Sequence, residues 1–309
     1  MRIVVTGALG FIGSHLYNKL RMMQQMEVEA WDSHDVGANT SNINNMPWRF
    51  VDIKNKNDVY KSMAQFKPHV VFHLAAQSHV CRSIIDPSEF FETNIQGTAN
   101  VMEAARKLVP GARIIHVSTD EVFGEAINGA FTESTPYAPR SPYAASKAAS
   151  DHIALSYRET YGLSVTVTNC SNNFGPHQHT EKLIPMTINA YLTNGVIRIH
   201  GSGEHMRDWL WVGDHVDALI KIMSSGHEQR YVIGGLCVKK NIEVIREIMS
   251  IMEDELGYQR PNVIHTNDRP TDDKIYEVNP QKLMAMGWKP SPELFKDNLR
   301  KTIKYYEKK

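Results

Sequence analysis

Tyr143-Ala144-Ala145-Ser146-Lys147 sets a phenol and an ammonium four residues apart, and so on one face of a helix. A neighbouring cation lowers the cost of forming phenolate, so the pair predicts a base that works near neutral pH. Upstream, His116-Val117-Ser118-Thr119-Asp120-Glu121-Val122-Phe123-Gly124 places two consecutive carboxylates behind a threonine. Such pairs usually mark solvated turns. This one leaves the carboxyl end of a long apolar strand, where α/β sheets bind ligands, which suits acid–base work on a substrate. A third group opens the chain. Gly7, Gly10 and Gly13 follow an apolar run and, with Phe11 and Ile12, begin a helix. That spacing lets the chain turn tightly and brings backbone N–H groups to a pyrophosphate.

These groups need a scaffold, and the pattern of short apolar runs supplies one. Arg2–Thr6, Val28–Trp31, Phe50–Val51, Val70–Leu74, Arg113–Val117 and Val165–Thr168 read as strands. Helical periodicity lies between them at Phe11–Met22, Lys56–Phe66, Ser88–Leu108 and Pro142–Tyr161. Continuous apolar strands alternating with helices imply an α/β fold, a Rossmann-type parallel sheet with helices on both faces. Asp32 then ends the second strand, where its carboxylate accepts the ribose hydroxyls of adenosine and repels a 2′-phosphate. Ser33-His34-Asp35 brings no cation to rescue that phosphate, so the expected cofactor is NAD rather than NADP. Asp52-Ile53, after the third strand, either meets the adenine amino group or simply ends the strand.

After Cys170 loops lengthen and helices dominate, at Lys182–Asn194, Gly213–Ser224, Asn241–Leu256 and Ser291–Tyr306. Residues 1–170 are therefore expected to form the cofactor domain and 171–309 a smaller, mainly helical substrate lobe. Segments near 211–233 are expected to return to the first. Asn279-Pro280 and Ser291-Pro292 each read as a capping side chain before a proline in the first helical position.

The 309 residues carry 34 Lys+Arg against 34 Asp+Glu, so no global field draws the chain to nucleic acid or to a membrane surface. The apolar runs are strand-sized, too short to span a bilayer, and no charged-then-apolar leader follows Met1. Cys81, Cys170 and Cys237 lie far apart with no CxxC pair, which implies free thiols in a reducing cytoplasm. His177-Gln178-His179 lacks a Cys or carboxylate at ligand spacing and reads as a solvated or substrate-facing loop, so no metal is expected.

Together, the glycine triplet and the YxxxK pair resemble the extended short-chain dehydrogenase/reductase superfamily. More specifically, Ser118–Gly124 is similar to the STDEVYG signature of dTDP-glucose 4,6-dehydratases. His73–Val80, Asn172-Asn173-Phe174-Gly175-Pro176, Glu181-Lys182-Leu183-Ile184-Pro185 and Arg207-Asp208-Trp209 resemble further blocks of that family. The resemblance spans nearly the whole chain. It implies a nucleotide-sugar 4,6-dehydratase in which Tyr143 and NAD oxidise the sugar at C4, with Lys147 on the nicotinamide ribose. Glu121 then removes the C5 proton, Asp120 protonates the departing C6 hydroxyl, and the hydride returns to C6. Thr119 would bond the C4 oxygen, and Ser78, Asn172, Lys182 and Leu183 would touch the sugar or position its loop. A homodimer through the helices near Ser88–Leu108 and Tyr143–Tyr161 is also implied.

The departures fall in the substrate lobe. The family's Pro-x-Tyr-Gly reads Arg198-Ile199-His200-Gly201, near the expected nucleobase site, and its Gly-Gly-His-Asn reads Gly234-Gly235-Leu236-Cys237. Arg207 and Arg269 remain as candidate diphosphate clamps. These changes leave the choice between thymidine and uridine open. An NAD-dependent 4-epimerase or decarboxylase would share Tyr143 but not need Asp120 and Glu121. A non-catalytic nucleotide-sensing scaffold would need none of the five catalytic residues.

Overall fold

The structure, a computed structural model, describes residues 1–225, 229–267 and 273–309. Seven strands form one sheet: β1 (Arg2–Thr6), β2 (Glu27–Asp32), β3 (Arg49–Phe50), β4 (Val70–His73), β5 (Arg113–Thr119), β6 (Ser164–Cys170) and β10 (Arg230–Ile233). Their order is β10-β6-β5-β4-β1-β2-β3, and every neighbouring pair is parallel.

The apolar runs form these strands because both faces of the sheet are covered. Ile3, Val5, Phe72 and Ile115 pack into one cluster with Leu16, Leu20, Val216 and Leu219. Their neighbours Val4, Val71 and Ile114 point the other way, into a cluster with Val59, Met63, Val101 and Ala154. Alternate side chains thus enter different cores, as a strand's period of two requires. The helices Phe11–Arg21 and Val212–Ser225 cover the first face; Lys56–Phe66, Thr98–Leu108 and Pro142–Tyr161 cover the second. The chain leaves β1 toward β2 on one side and β4 on the other, so the loops after β1 and β4 part. A crevice opens between them.

The rest of the chain packs around a separate apolar cluster that includes Phe174, Ile188, Trp209, Val244, Ile245 and Leu299. Helices Leu183–Leu192, Asn241–Ser250 and Phe295–Tyr306 are joined there by five short strands. β7 (Asn172–Phe174), β9 (Met206–Trp211) and β11 (Val238–Lys240) form one small sheet, and β8 (Val196–His200) pairs with β12 (Asn262–Thr266).

Local expectations needed four corrections. Ser88–Leu108 is helical throughout but widens to a π-type turn over Phe91–Gly97, where a Cβ on Gly97 would lie 2.6 Å from Ile53 Cδ1. The helix beginning at Asn241 widens in the same way over Ile251–Glu255. Pro280 is itself the cap of its short helix rather than its first residue, although Asn279 Oδ1 accepts from Gln281 N at 3.2 Å. Ser291 caps nothing with its side chain. Its Oγ and backbone N–H both donate to Asp214 Oδ2, at 2.6 and 2.9 Å.

That clasp ties the last helix to the helix covering the main sheet. A hydrogen bond to a charged group contributes about 1.5–3 kcal/mol. Asp214→Ala should therefore lower unfolding stability by about that amount, read as a shifted urea midpoint at unchanged m value. An unchanged midpoint would mean that the clasp carries no net stability.

Candidate active site

The crevice continues into a cleft of about 1680 Å³, part of it open to solvent, running from the glycine loop to Tyr143 and on to Lys182. Gly7 sits at φ +68°, and a Cβ there would lie 2.9 Å from the backbone nitrogen of Ala75. A Cβ on Gly13 would lie 2.1 Å from the Gly7 carbonyl oxygen. Only bare backbone fits both places. The helix starting at Phe11 has no side-chain cap and no acidic residue in its first turn. Its opening residues Phe11, Ile12 and Gly13 line the cleft, an arrangement suited to a phosphate.

Asp32 stands at the end of β2, buried, with one oxygen accepting from Leu9 N at 3.0 Å and the other from His34 N at 2.8 Å. Burial pushes its carboxyl up and these two N–H groups pull it back. It therefore braces the glycine loop as well as facing the cleft. Asp52 and Ile53 also line the cleft. Asp52 accepts from Lys54 N at 2.9 Å, while Ile53 packs into the core. The residues present thus fit a dinucleotide: an uncapped helix start for its phosphates and carboxylates for its ribose.

At the other end β5 delivers Thr119, Asp120 and Glu121. Thr119 caps a short 3-10 turn, its Oγ1 accepting from Glu121 N at 3.3 Å and donating to Asp120 Oδ1 at 3.2 Å. Asp120 is buried, and desolvation, then the charges of Glu121 and Asp208, hold its carboxyl well above the usual range. Its surroundings thus favour the protonated form. Asp120 Oδ2, Ser118 Oγ and Asn172 Oδ1 are buried without a hydrogen-bond partner, and all three residues line the cleft. Buried polar atoms left so are costly unless a ligand engages them.

Tyr143 and Lys147 share the inner face of the Pro142–Tyr161 helix, which begins with Ser141 capping Ala144 N and Pro142 in the first turn. The expected effect of Lys147 on the phenol needs correction. Lys147 Nζ donates to the Val117 carbonyl at 2.9 Å. Burial, then Glu121, drives the Tyr143 phenol well above its ordinary value, with the Thr119 hydroxyl opposing. Lys147 alone does not make Tyr143 a neutral-pH base.

Ser78, Asn172 and Lys182 line the cleft, and Lys182 Nζ donates to the Ser78 carbonyl at 3.1 Å. Four other candidates are not brought to its wall. Leu183 packs against the second lobe's core. Arg198 is exposed on β8, and His200 Nδ1 faces Thr266 Oγ1 at 3.1 Å. Arg207 is buried behind Asp120, its guanidinium over the Tyr276 ring and donating to the Met206 carbonyl at 2.8 Å. Arg269 lies outside the described residues. Cys237 also points away from the cleft, into the lobe core, while its N–H donates to Asp208 Oδ1 at 2.9 Å. Of the histidine loop, Gln178 and His179 line the cleft, whereas His177 stacks on His15.

Several lining residues carried no sequence signal of their own. Asp35 and Gln77 meet across the crevice, Gln77 Nε2 donating to Asp35 Oδ2 at 2.8 Å. Cys170 lies beside Tyr143, its thiol pushed up to about 12 by burial. Asp35 and Gln77 stand in the loops that follow β2 and β4, and Cys170 ends β6; those places are the hint that could have singled them out. Among the described residues no group of His, Cys, Asp or Glu is placed to hold a metal ion, and no helix is long and apolar enough to cross a membrane.

The family model described as GDP-mannose 4,6 dehydratase matches residues 4–302. The chain is 39% identical to the dTDP-glucose 4,6-dehydratase 1 of Escherichia coli K12, covering 99% of this chain and 92% of that protein. It superimposes on the dTDP-glucose 4,6-dehydratase of Streptomyces venezuelae, solved with NAD bound, with a TM-score of 0.91 and 37% identity. That match covers 100% of this chain and 97% of the other. The UDP-glucose 4-epimerase of Thermus thermophilus, also an NAD complex, matches with a TM-score of 0.89 and 30% identity over 99% of both chains. The fold alone is thus shared by dehydratase and epimerase.

Asp120 has a signature that needs no ligand. Its folded-state value lies well above the ordinary 3.8, so the folded protein binds a proton that the unfolded chain releases between those values. Stability must fall as pH rises through that window. Asp120→Asn removes the ionisable group, so the variant should gain on wild type as pH is raised from about 4 to 8. Urea midpoints at both pH values check this; a difference that stays constant would show an ordinary carboxylate.

Proposed function

This chain belongs to the GDP-mannose 4,6-dehydratase family, and from that premise we propose an NAD-dependent nucleotide-sugar 4,6-dehydratase, a hydro-lyase, acting on dTDP-glucose or UDP-glucose. The observation that carries this reading is the buried Asp120, its carboxyl raised by desolvation, beside Glu121 at the same end of the cleft as Tyr143. A 4-epimerase needs the tyrosine but not a second acid and base, so the carboxylate pair favours elimination over epimerisation.

Gly7, Gly10, Phe11, Ile12, Gly13, Asp32, Asp52 and Ile53 would hold NAD, with Lys147 toward its nicotinamide ribose. Bound NAD supplies the hydride acceptor for C4, the hydride later returned to C6, and a positively charged ring. Tyr143 takes the C4 hydroxyl proton, with Thr119 bonding the same oxygen. Once C4 is a carbonyl the C5–H bond is acidic, and Glu121 accepts that proton. Asp120 gives its own proton to the C6 hydroxyl, which leaves as water. Ser78, Asn172 and Lys182 position the hexose and the loop beside it.

Residues 1–170, with the return through β10, form the cofactor domain in this reading, and 171–309 the nucleotide-sugar lobe. The protein works in the cytoplasm as a homodimer. Phe91, Ile95 and Ala99 on one long helix, and Ala145, Ala149 and Ile153 on the other, recur every four residues at exposed or half-exposed positions. Such stripes suit helix–helix packing. Ala149→Arg should give a monomer in sedimentation velocity at micromolar concentration; a persisting dimer would place the interface elsewhere.

The chemistry is tested by separating its steps with dTDP-glucose and UDP-glucose as substrates. Glu121→Gln should still form NADH on the bound sugar but lose deuterium uptake at C5 from heavy water. Tyr143→Phe should block NADH formation itself. Each defect should reach about 10²–10⁴-fold, the usual worth of a general acid or base. Normal C5 exchange in Glu121→Gln, or wild-type NADH formation in Tyr143→Phe, would overturn the assignments. The ratio of kcat/KM for the two donors decides the nucleotide.

A further inference from the structure

Behind the cleft lies a second layer of polar groups that the reaction as described does not use. Tyr143, Lys147 and Asp151 follow one another at four-residue intervals on the same helix. The Asp151 side chain is fully buried. Its Oδ1 lies 3.1 Å from His116 Nε2. Its Oδ2 accepts from the Tyr137 hydroxyl at 2.7 Å and from Asn169 Nδ2 at 3.0 Å. Asn169 Nδ2 also donates to the Thr119 backbone carbonyl, at 3.1 Å. One amide, fully buried at the end of β6, thus bridges a carboxylate on the redox helix and the carbonyl directly before Asp120 and Glu121.

We propose that Asp151 and Asn169 are positioning residues for the elimination step, tying the turn that bears Asp120 and Glu121 to the helix that bears Tyr143 and Lys147. The inference rests on the dehydratase reading. The physical case is one of register. β5 ends at Thr119, and the 3-10 turn beyond it is held by the Thr119 hydroxyl, by Ala138 N donating to the Val122 carbonyl at 2.9 Å, and by Val122 and Phe123 packing in one cluster with Ala148. The amide bridge adds a directional polar tie from the carbonyl at the head of the turn to the helix. The carboxylate orients that amide, because an ionised Asp151 accepts only and so turns both Asn169 N–H bonds to defined partners. Burial disfavours the Asp151 charge, but the neighbouring His116, Lys147 and Tyr137 outweigh it, and its carboxyl lies below the ordinary range. The helix therefore presents two fixed points to the substrate. Tyr143 acts directly, and Asp151 acts through Asn169 on where the acid and base stand.

A role confined to elimination predicts a split that a merely structural role does not. Asn169→Ala should lower C5 deuterium uptake and 4-keto product formation by at least about tenfold, since misplacing a catalytic group by roughly 1 Å can cost about 10²-fold. NADH formation on the bound sugar, measured in a single turnover, should stay within about twofold of wild type, so that NADH accumulates. Asn169→Thr introduces a β-branched residue that suits a strand and retains one donor; it serves should the alanine variant not fold, and should show the same split less strongly. Tyr137→Phe, which removes one donor to Asp151, should shift the partition in the same direction. Equal loss of oxidation and elimination in the folded variants, or full elimination activity in them, would overturn the proposal. Wild-type protein that forms neither NADH nor 4-keto sugar would instead overturn the dehydratase reading, so the two failures are distinguishable.

Discussion

The site depends on the cost of holding charge where the sheet's carboxyl edge is shut off from water. Asp120, Tyr143, Lys147 and Asp151 are all buried there, within a few residues of one another along β5 and one helix. Desolvation makes each charge expensive unless a partner offsets it. The outcome differs from group to group. Asp120, facing other carboxylates, is pushed up; Asp151, facing His116, Lys147 and Tyr137, is pulled down. Two aspartates in one buried region are thereby shifted in opposite directions, and only the raised one stands at the cleft.

The same cost explains the polar scaffolding behind the site. Asn169, Tyr137 and His116 satisfy Asp151, and the Val117 carbonyl satisfies Lys147. Around the cofactor crevice the backbone is the scaffold. Asp32 holds the glycine loop by accepting from Leu9 N, and the loop's approach to Ala75 leaves no room for a side chain at Gly7. The aspartate that lines the cleft is thus also the one that shapes the loop. Behind Asp120, Arg207 and Asp208 work similarly: the arginine bonds backbone carbonyls, and the aspartate accepts from Gly235 and Cys237 N–H groups.

Motif-bearing residues whose partners lie close in sequence were the legible ones. The alternation of β and α units marked every strand of the main sheet in the first half, because buried parallel strands are continuous apolar runs. Gly7, Gly13, Asp32, Thr119, Asp120, Glu121, Tyr143 and Lys147 all stand at one cleft for the same reason: each sits at a strand end or on the first turns of a helix. The second lobe was less legible. Its five short strands pair across long loops, and a two- or three-strand sheet leaves little periodicity. Arg198, His200 and Cys237 looked like altered binding residues by alignment with motif blocks. Their side chains turn to solvent, to Thr266 and to the lobe core.

What the sequence by itself determined is the set of groups available: a phenol, an ammonium, a threonine and two adjacent carboxylates on a dinucleotide-binding sheet. Residue type and local spacing carry that information, since helical and strand periods are properties of a few consecutive residues. Tertiary structure alone decided the protonation of those groups and their mutual register. Lys147 turns to Val117 rather than to Tyr143, Asp120 loses its solvent, and Asn169 reaches from β6 to both Thr119 and Asp151. Each of these depends on burial and on contacts between residues far apart in the chain, which no local pattern records.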